Sequence, residues 1–360
     1  MDKYTRSYII YFGMLFVCFL LASRAEKRNN RKYVFIIALI LSFIAGFRNK
    51  SVGIDTTNYY WIINSLTSFS SANKYNDPYF YKMAYLLMKI NDDPYFPIMV
   101  FAFVSNFLVV YRLWDFRSYS SYKYAVTRYI TLFFFFSLNC IRQFLAIAIV
   151  FWATRYLEEG NYKKYIIYVG IASLIHIAAL TSLSFIALEI LKWNNLNETS
   201  KNYVKLSIVF IPVYILAALR ASGGRLDLYI NSSSFATDVA SVIIKFILFI
   251  LVVTFTLTDH NIFDLKEFSE QENQRKMSLV YYLIGLILSS LGYIFAHFER
   301  IGYFFYIYAT VYLGIAVNEK RYRILFRVVV LFIIIRSFYL NCANISFGSM
   351  GQMPYLFKWE

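Results

Sequence analysis

Several ionisable residues of this 360-residue chain stand at the ends of strongly apolar runs or inside them. Arg142 lies between two such runs, Arg48 follows another, His176 lies within a third, and Glu299-Arg300 separates two more. A cation is costly in such a place unless it meets an anion, a cavity or the membrane interface. Side chains of these types, collected at span ends, indicate that the protein handles a polar substrate there.

The composition is that of a membrane protein. Hydrophobic residues make up 59% of the chain, aromatic residues 21%, and the mean hydropathy is +0.51, which is far from a soluble globular composition. The formal net charge of +15 is concentrated in short Lys/Arg connectors between apolar runs, the pattern that the positive-inside rule produces. We therefore expect no nucleic-acid partner. Cys18, Cys140 and Cys342 lack metal-ligand spacing, and we expect neither a metal nor another cofactor.

Apolar windows long enough to cross about 30 Å of hydrocarbon predict the helices. They lie near residues 7–23, 33–47, 95–114, 124–139, 141–157, 204–220, 239–258, 278–297, 301–317 and 324–341. Residues 164–191 form either one long tilted helix or two short helices that meet near His176. We favour the second arrangement, because it places the basic connectors 24–32, 112–128, 155–164 and 318–327 on one side.

The expected fold is an all-α polytopic membrane protein with about 12 transmembrane helices, within a range of roughly 10 to 12. We expect a single integral domain over residues 1–360 in the cell (cytoplasmic) membrane, with both termini external. External loops are predicted at 48–94 and 221–239, and a cytoplasmic loop at 259–277. Within the first loop, Phe80, Met83, Ala84, Leu87 and Ile90 form an apolar stripe opposite Lys82, Tyr85 and Lys89, which predicts an amphipathic helix lying in the interface.

This topology puts the ionisable groups on the external face: Arg48, Asp55, Arg142, His176, Arg220, Arg225, Glu299 and Arg300. Several of them belong to short motifs that occur in a fixed order. Arg48 is followed by Val52-Gly53-Ile54-Asp55-Thr56-Thr57-Asn58-Tyr59, which resembles the "R, then VGxDTxxY" signature of the EpsG family of exopolysaccharide and capsule proteins, relatives of the Wzy-type polysaccharide polymerases.

Further motifs of that family follow along the chain. Arg142-Gln143 with Ala146 resembles "RQ..A", and His176 to Leu180 resembles "H.SAL", with Ala178 where the family usually has Ser. Arg300 with Tyr303-Phe304 resembles "R..YF", and Pro354-Tyr355 resembles a terminal "PY". The resemblance therefore extends from about residue 47 to the C-terminus.

The resemblance implies a polysaccharide polymerase, a glycosyltransferase that joins undecaprenyl-diphosphate-linked oligosaccharide repeat units on the external membrane face. Arginine supplies a permanently charged fork for phosphate oxygens, and no DxD-type motif is present to act through Mg²⁺. Arg142 and Arg300 are our candidates for binding the diphosphate, with Gln143 beside them. Arg48 either assists or lies further along the glycan path.

The acceptor hydroxyl needs a base near the anomeric carbon. His176, Asp55 and Glu299 are the candidates, with His176 ranked first. Tyr59, Tyr60 and Tyr303 are candidates for stacking on sugar rings.

Each assignment has a structural alternative. Arg142 could extend to headgroup phosphates, His176 could pack between helices, and Asp55 could instead accept hydrogen bonds from the amides of Thr56, Thr57 and Asn58. Glu299 and Arg300 could form a local ion pair, and Arg220 and Arg225 could be headgroup anchors.

Three other functions stay open: a non-catalytic assembly partner, a flippase or transporter of lipid-linked oligosaccharide, and a transferase like an O-antigen ligase. A carrier usually has paired halves and midplane ionisable residues, which this sequence lacks. The expected partners are the lipid-linked oligosaccharide and membrane lipids, with a chain-length regulator and a flippase as further candidates.

Overall fold

The computed structural model of the chain describes residues 1–190, 270–290, 298–318, 323–339 and 351–360. In these ranges the regular structure is helical, and the β pairing among them is one isolated antiparallel bridge between Arg48 and Phe357. The predicted spans 204–220 and 239–258, and the loop 221–239, lie outside the described residues. Arg220, Arg225 and Cys342 also lie outside them.

The helices of the first 190 residues are α1 (Lys3–Arg28), α2 (Arg31–Gly46), α3 (Thr56–Asn64), α4 (Pro78–Met88), α5 (Tyr95–Asp115), α6 (Tyr122–Tyr129), α7 (Phe135–Asn139), α8 (Ile141–Ala153), α9 (Arg155–Glu158), α10 (Tyr162–Ile175) and α11 (Ser184–Ile190). Further along are α12 (Glu270–Ser290), α13 (Phe298–Tyr306), α14 (Ala309–Asn318) and α15 (Arg323–Phe338). A π-helical turn over Ile130–Phe134 joins α6 to α7. Short 3₁₀ segments cover Ser70–Lys74, Phe116–Ser118 and Ile177–Leu183.

Three helical stretches among the described residues are long and apolar enough to cross a membrane: Lys3–Arg28, Tyr95–Ser118 and Arg300–Val317. Large apolar side chains also point outward from several helices, including Phe16 on α1, Phe43 on α2, Ile167 on α10 and Phe332 on α15. Such an extent of exposed apolar surface is unusual for a soluble protein. The structure thus supports a helical membrane protein, while the number of 12 spans stays a prediction.

Two predicted segments differ from the observed helices. The window 301–317 is interrupted at residues 307–308, where α13 ends and α14 begins. Residues 270–277, which we expected in the cytoplasmic loop 259–277, form the first two turns of α12. Glu270–Lys276 is polar, and a helix can extend beyond the apolar window with its polar turns outside the hydrocarbon. The cytoplasmic location of residues 259–277 stays a prediction.

The predicted amphipathic helix is present as α4, with Pro78 in its first turn. Phe80 and Ala84 of the expected stripe are buried, whereas Ile90 lies beyond the helix end and is 75% exposed. Tyr81, outside the stripe, is also buried. The segment 48–94 therefore contains two helices, α3 and α4.

The chain reverses its direction at His176. α10 ends at Ile175, and His176 takes an extended conformation before the 3₁₀ segment begins. The Tyr165 hydroxyl near the start of α10 donates to the Ser182 carbonyl at 2.8 Å, 17 positions along the chain. A continuous helix would separate such residues by about 25 Å. Residues 164–190 are thus two short pieces that pack together, as the connector charges favoured.

The basic connectors lie close together at one end of the bundle, here called the basic end. Arg117 Nε donates to Asn29 Oδ1 at 3.2 Å, and Arg155 Nη2 pairs with Asp115 Oδ2 at 3.0 Å. Lys123 lies 3.7 Å from Glu26. The connectors 24–32, 112–128 and 155–164 therefore share one end, as the sequence predicted.

The opposite end is here called the loop end, because the segments 48–94 and 351–360 pack there. The two termini meet at this end: Arg6 pairs with Glu360, and the Tyr11 hydroxyl donates to the Gln352 carbonyl at 2.9 Å. Arg48, Arg142 and His176 also lie at this end, where they contact the segment 48–94 and the helix ends beside it.

Candidate functional site

Arg142 and His176 contact the same carboxylate oxygen, Oδ2 of Asp77. Arg142 Nη1 lies 3.1 Å from Asp77 Oδ2, and His176 Nδ1 lies 3.2 Å from the same oxygen. The side chains are 23%, 17% and 19% exposed for Arg142, Asp77 and His176, so ligands can reach them. The structure therefore brings the first-ranked arginine and the first-ranked base into one polar cluster, here called the Asp77 cluster.

Asp77 was not among the residues that the sequence singled out. It precedes α4 with a left-handed backbone (φ 56°, ψ 61°), a conformation that Asp tolerates better than most residues. Pro78 at the first helical position fixes where α4 begins. An Asp-Pro pair at the start of the predicted amphipathic helix was the available signal, but it identifies a helix start and not a partner for His176.

Three other residues hold Arg142 in place. Its Nη1 also donates to the Asn76 carbonyl at 2.6 Å, and its Nε donates to the Tyr59 hydroxyl at 3.3 Å. The guanidinium carbon lies 5.7 Å from the ring centre of Tyr59 and 5.6 Å from that of Tyr81, within cation–π range. Burial raises the pKa of Tyr59, so the phenol stays neutral beside the cation.

Part of the hydrogen-bonding capacity of the Asp77 cluster is unused within the described part of the chain. Arg142 Nη2 has no partner there, although Nε and Nη1 do. His176 contacts Asp77 through Nδ1, while Nε2 has no described partner. When Nδ1 carries the proton and donates it to Asp77, Nε2 presents a lone pair and can act as a base. The cluster thus offers a cationic donor and a proton acceptor.

Gln143 links Arg300 to the start of α8, the helix that also carries Arg142. Its side-chain Nε2 donates to the Arg300 carbonyl at 2.6 Å, and the Gln143 side chain is buried. The Arg300 guanidinium makes no hydrogen bond or ion pair with any residue that the structure describes. Gln143 therefore holds the backbone of Arg300 near Arg142 rather than offering its amide to a ligand.

Tyr303 and Glu299 also belong to α13. The Tyr303 ring packs edge-on against Phe136 with a centroid distance of 4.8 Å, so an aromatic contact already occupies part of its surface. Glu299 lies in the first turn of α13, and its side chain is outside the described part of the structure. The expected local ion pair between Glu299 and Arg300 is therefore not tested.

Asp55 does not cap α3 with its side chain, which contradicts the structural alternative for this residue. Its backbone φ and ψ are −82° and −13°, and its carboxylate accepts no cap hydrogen bond. The Asp55 N–H instead donates to Asn139 Oδ1 at 2.7 Å. A helical backbone at this position turns the carboxylate away from the amides of the first turn. Asp55 lies one helical turn before Tyr59, and its charge contributes to the raised pKa of that phenol.

Comparison with known proteins identifies the family of this chain. The family model described as "EpsG family" matches residues 31–357, nearly the whole chain. The chain belongs to the EpsG family. Neither the curated proteins nor the solved structures gave a match. Membership identifies a membrane protein of polysaccharide biosynthesis.

The EpsG signature after α2 holds the loop end together. Arg48 is 1% exposed, and its guanidinium donates to the carbonyls of Ala45 and Leu138, the latter at 2.8 Å, and to Thr56 Oγ1 at 3.3 Å. Burial lowers the pKa of Arg48 to about 10, which leaves it protonated at neutral pH. The structure does not bring Arg48 into the Asp77 cluster.

Gly53 of the signature has a left-handed backbone (φ 92°), and a Cβ there would lie 2.7 Å from the Leu138 carbonyl oxygen. The Gly53 N–H donates to the Gly351 carbonyl at 2.7 Å, and the terminal Tyr355 donates its hydroxyl to the Ile44 carbonyl at 2.9 Å. The signature and the "PY" element thus fix the start of α3, and with it Tyr59 against Arg142.

Replacing Arg48 by alanine is expected to destabilise this EpsG protein by about 3 kcal/mol or more, because several buried acceptors lose their donor. The thermal unfolding midpoint in detergent measures this effect. Arg6→Ala, which removes an exposed ion pair at the same end, should change the midpoint little. An unchanged midpoint together with lost activity would instead assign Arg48 to the substrate path.

Proposed function

We propose that this protein is a polysaccharide polymerase that joins undecaprenyl-diphosphate-linked oligosaccharide repeat units by glycosyl transfer on the external face of the membrane. The observation that carries the proposal is the shared carboxylate of Asp77, which holds the Arg142 guanidinium and the His176 imidazole side by side. A glycosyl transfer from a lipid diphosphate needs one cation for the leaving group and one base for the acceptor.

In this proposal Arg142 binds the diphosphate of the donor. Its Nη2 group has two N–H donors that no described residue uses, and the Arg300 guanidinium can approach the same anion. As the bond between the anomeric carbon and the diphosphate oxygen breaks, the electron pair stays on the diphosphate. Fixed guanidinium groups stabilise that developing charge without reorganising, and we expect them to suffice without a metal ion.

His176 acts as the base on the acceptor. Its Nε2 accepts the proton of the attacking hydroxyl while the new glycosidic bond forms. Asp77 then lies beside a protonated imidazole and stabilises it. The same carboxylate also pairs with Arg142. Asp55 remains an alternative base, because its carboxylate has no hydrogen-bond partner among the described side chains and lies one helical turn from Tyr59.

The test of the proposed function is reconstitution. The purified full chain in lipid vesicles, without added metal, is incubated with undecaprenyl-diphosphate-linked repeat units, and the products are resolved by size. We expect a ladder of lipid-linked oligomers. Bound substrate without extension would indicate an assembly partner, movement of substrate across the bilayer without extension a flippase, and transfer only to a different acceptor a ligase. Each of these results would contradict the polymerase.

We propose that the Asp77 cluster lies on the external face, which leads to a separate prediction. Asn73 at the loop end and Glu159 at the basic end are both exposed. In a chain whose cysteines are replaced by alanine, we expect Asn73→Cys to react with an impermeant thiol reagent in intact cells. Glu159→Cys should react only after the cells are opened. The reverse pattern would place the cluster on the cytoplasmic face.

A further inference from the structure

A cavity lies at the basic end, away from the Asp77 cluster. Its volume is about 210 Å³, and it lies where the start of α2 meets the ends of α5 and α8. Its lining combines two arginines, one carboxylate and several aromatic rings: Arg31, Phe107, Leu108, Tyr111, Trp114, Asp115, Trp152 and Arg155. The proposed glycosyl transfer uses none of these residues.

The charged side chains of this cavity favour binding of an anion. Asp115 is already neutralised, since its Oδ2 lies 3.0 Å from Arg155 Nη2 and 3.3 Å from Arg112 Nη1. Arg155 is further fixed by the Trp152 ring, 4.3 Å from its guanidinium carbon. Arg31 is exposed, and its guanidinium has no hydrogen bond or ion pair within the described part of the chain. The lining therefore has a net positive charge and one cation without an anion.

Trp114 adds a buried donor without an acceptor. The residue lines the cavity and is 1% exposed, and its indole N–H has no hydrogen-bond partner among the described residues. A buried donor of this kind costs stability unless an acceptor reaches it. The cavity beside the ring is the space from which such an acceptor can come.

The wall along α5 is apolar and continues away from the charges. Phe103, Phe107 and Tyr111 stack in series, with successive ring centres 6.0 Å apart and ring planes within 15° of parallel. Phe35 of α2 packs against Phe107 at 5.5 Å and is 46% exposed. This surface belongs to the apolar stretch Tyr95–Ser118, which is long enough to cross a membrane. A hydrocarbon chain can lie along it with its polar head at the arginines.

We propose that this cavity binds the phosphate of an anionic membrane lipid, with the lipid chain along the Phe103–Tyr111 wall. Arg31 and Arg155 contact the phosphate oxygens, a geometry that a guanidinium fits well. The apolar wall favours a lipid over a free phosphate, because inorganic phosphate gains nothing from aromatic surface. Phosphatidylglycerol, with a single net negative charge, is a suitable probe.

The test is binding of short-chain lipid to the full chain in neutral detergent, with bound molecules counted by native mass spectrometry. Dioctanoyl phosphatidylglycerol should bind as one tight molecule. Dioctanoyl phosphatidylcholine and inorganic phosphate should bind at least about tenfold more weakly. Arg31→Ala should weaken phosphatidylglycerol binding about tenfold, whereas Arg28→Ala, which removes a neighbouring arginine outside the cavity, should not.

A second variant distinguishes lipid binding in the cavity from attraction to the surface charge around it. Leu108→Trp keeps every charge and fills the apolar part of the cavity, so it should also weaken phosphatidylglycerol binding. Equal binding of the two lipids, equal effects of Arg31→Ala and Arg28→Ala, or displacement of the lipid by equimolar phosphate would each overturn the proposal. None of these results depends on polymerase activity, so the proposed function is tested separately.

Discussion

Arg142→Ala is expected to reduce oligomer formation in the reconstituted assay by about a hundredfold to a thousandfold, the usual cost of removing one preorganised group from a developing anion. The guanidinium is lost from the diphosphate, and no other described arginine contacts Asp77. Arg142→Lys should recover only part of the rate, because an ammonium cannot form two parallel bonds to phosphate.

The control for Arg142 is Arg6→Ala. Arg6 is also an arginine paired with a carboxylate at the loop end, but its partner is Glu360 and it lies outside the Asp77 cluster. We expect wild-type chain lengths from it. Because Arg142 also holds the Asn76 carbonyl, the thermal midpoint of each variant must be compared with wild type. Wild-type oligomers from a folded Arg142→Ala protein would contradict the proposal that Arg142 binds the diphosphate.

His176→Gln is expected to lower turnover by about a hundredfold to ten-thousandfold, the range found for removal of a general base. Glutamine keeps a polar group beside Asp77 but cannot accept a proton. Asp77→Asn should have a smaller effect on turnover, since the base remains and loses only the charge that stabilises its protonated form. Oligomer formation under saturating substrate measures both effects.

A second comparison separates His176 from the alternative base. Asp55→Asn should leave turnover close to wild type if His176 is the base, because the loop contact made by residue 55 uses its backbone N–H. Loss of turnover in Asp55→Asn with activity retained in His176→Gln would identify Asp55, and not His176, as the base.

The sequence predicted much of the fold because its signals are local. Charged connectors and apolar windows indicated α1, α2 and α5, and the connector charges favoured a turn near His176, which the structure contains. The ordered motifs predicted the family, which the match over residues 31–357 confirms. Amphipathic spacing predicted α4, although the buried residue Tyr81 was outside the expected stripe.

The features of the site that the sequence could not predict depend on contacts between residues far apart in the chain. Asp77 is separated from His176 by 99 positions and from Arg142 by 65, and no periodicity relates such residues. Arg48 seemed a substrate ligand because a cation follows an apolar run. Its buried contacts to backbone carbonyls become visible only when α2, α3 and α7 are packed. The sequence grouped the candidate site residues but did not show that Arg48, unlike Arg142, is buried against backbone carbonyls.

In the proposed mechanism Arg142 binds the substrate and His176 transfers the proton, with Asp77 in contact with both. The most direct measurement is the affinity of undecaprenyl diphosphate, which carries the anion without a transferable sugar, for wild-type, Arg142→Ala and His176→Gln protein in lipid nanodiscs. We expect Arg142→Ala to bind at least about tenfold more weakly. His176→Gln should bind like wild type while forming oligomers at least about a hundredfold more slowly. Wild-type affinity in Arg142→Ala, or lost affinity in His176→Gln, would contradict this division.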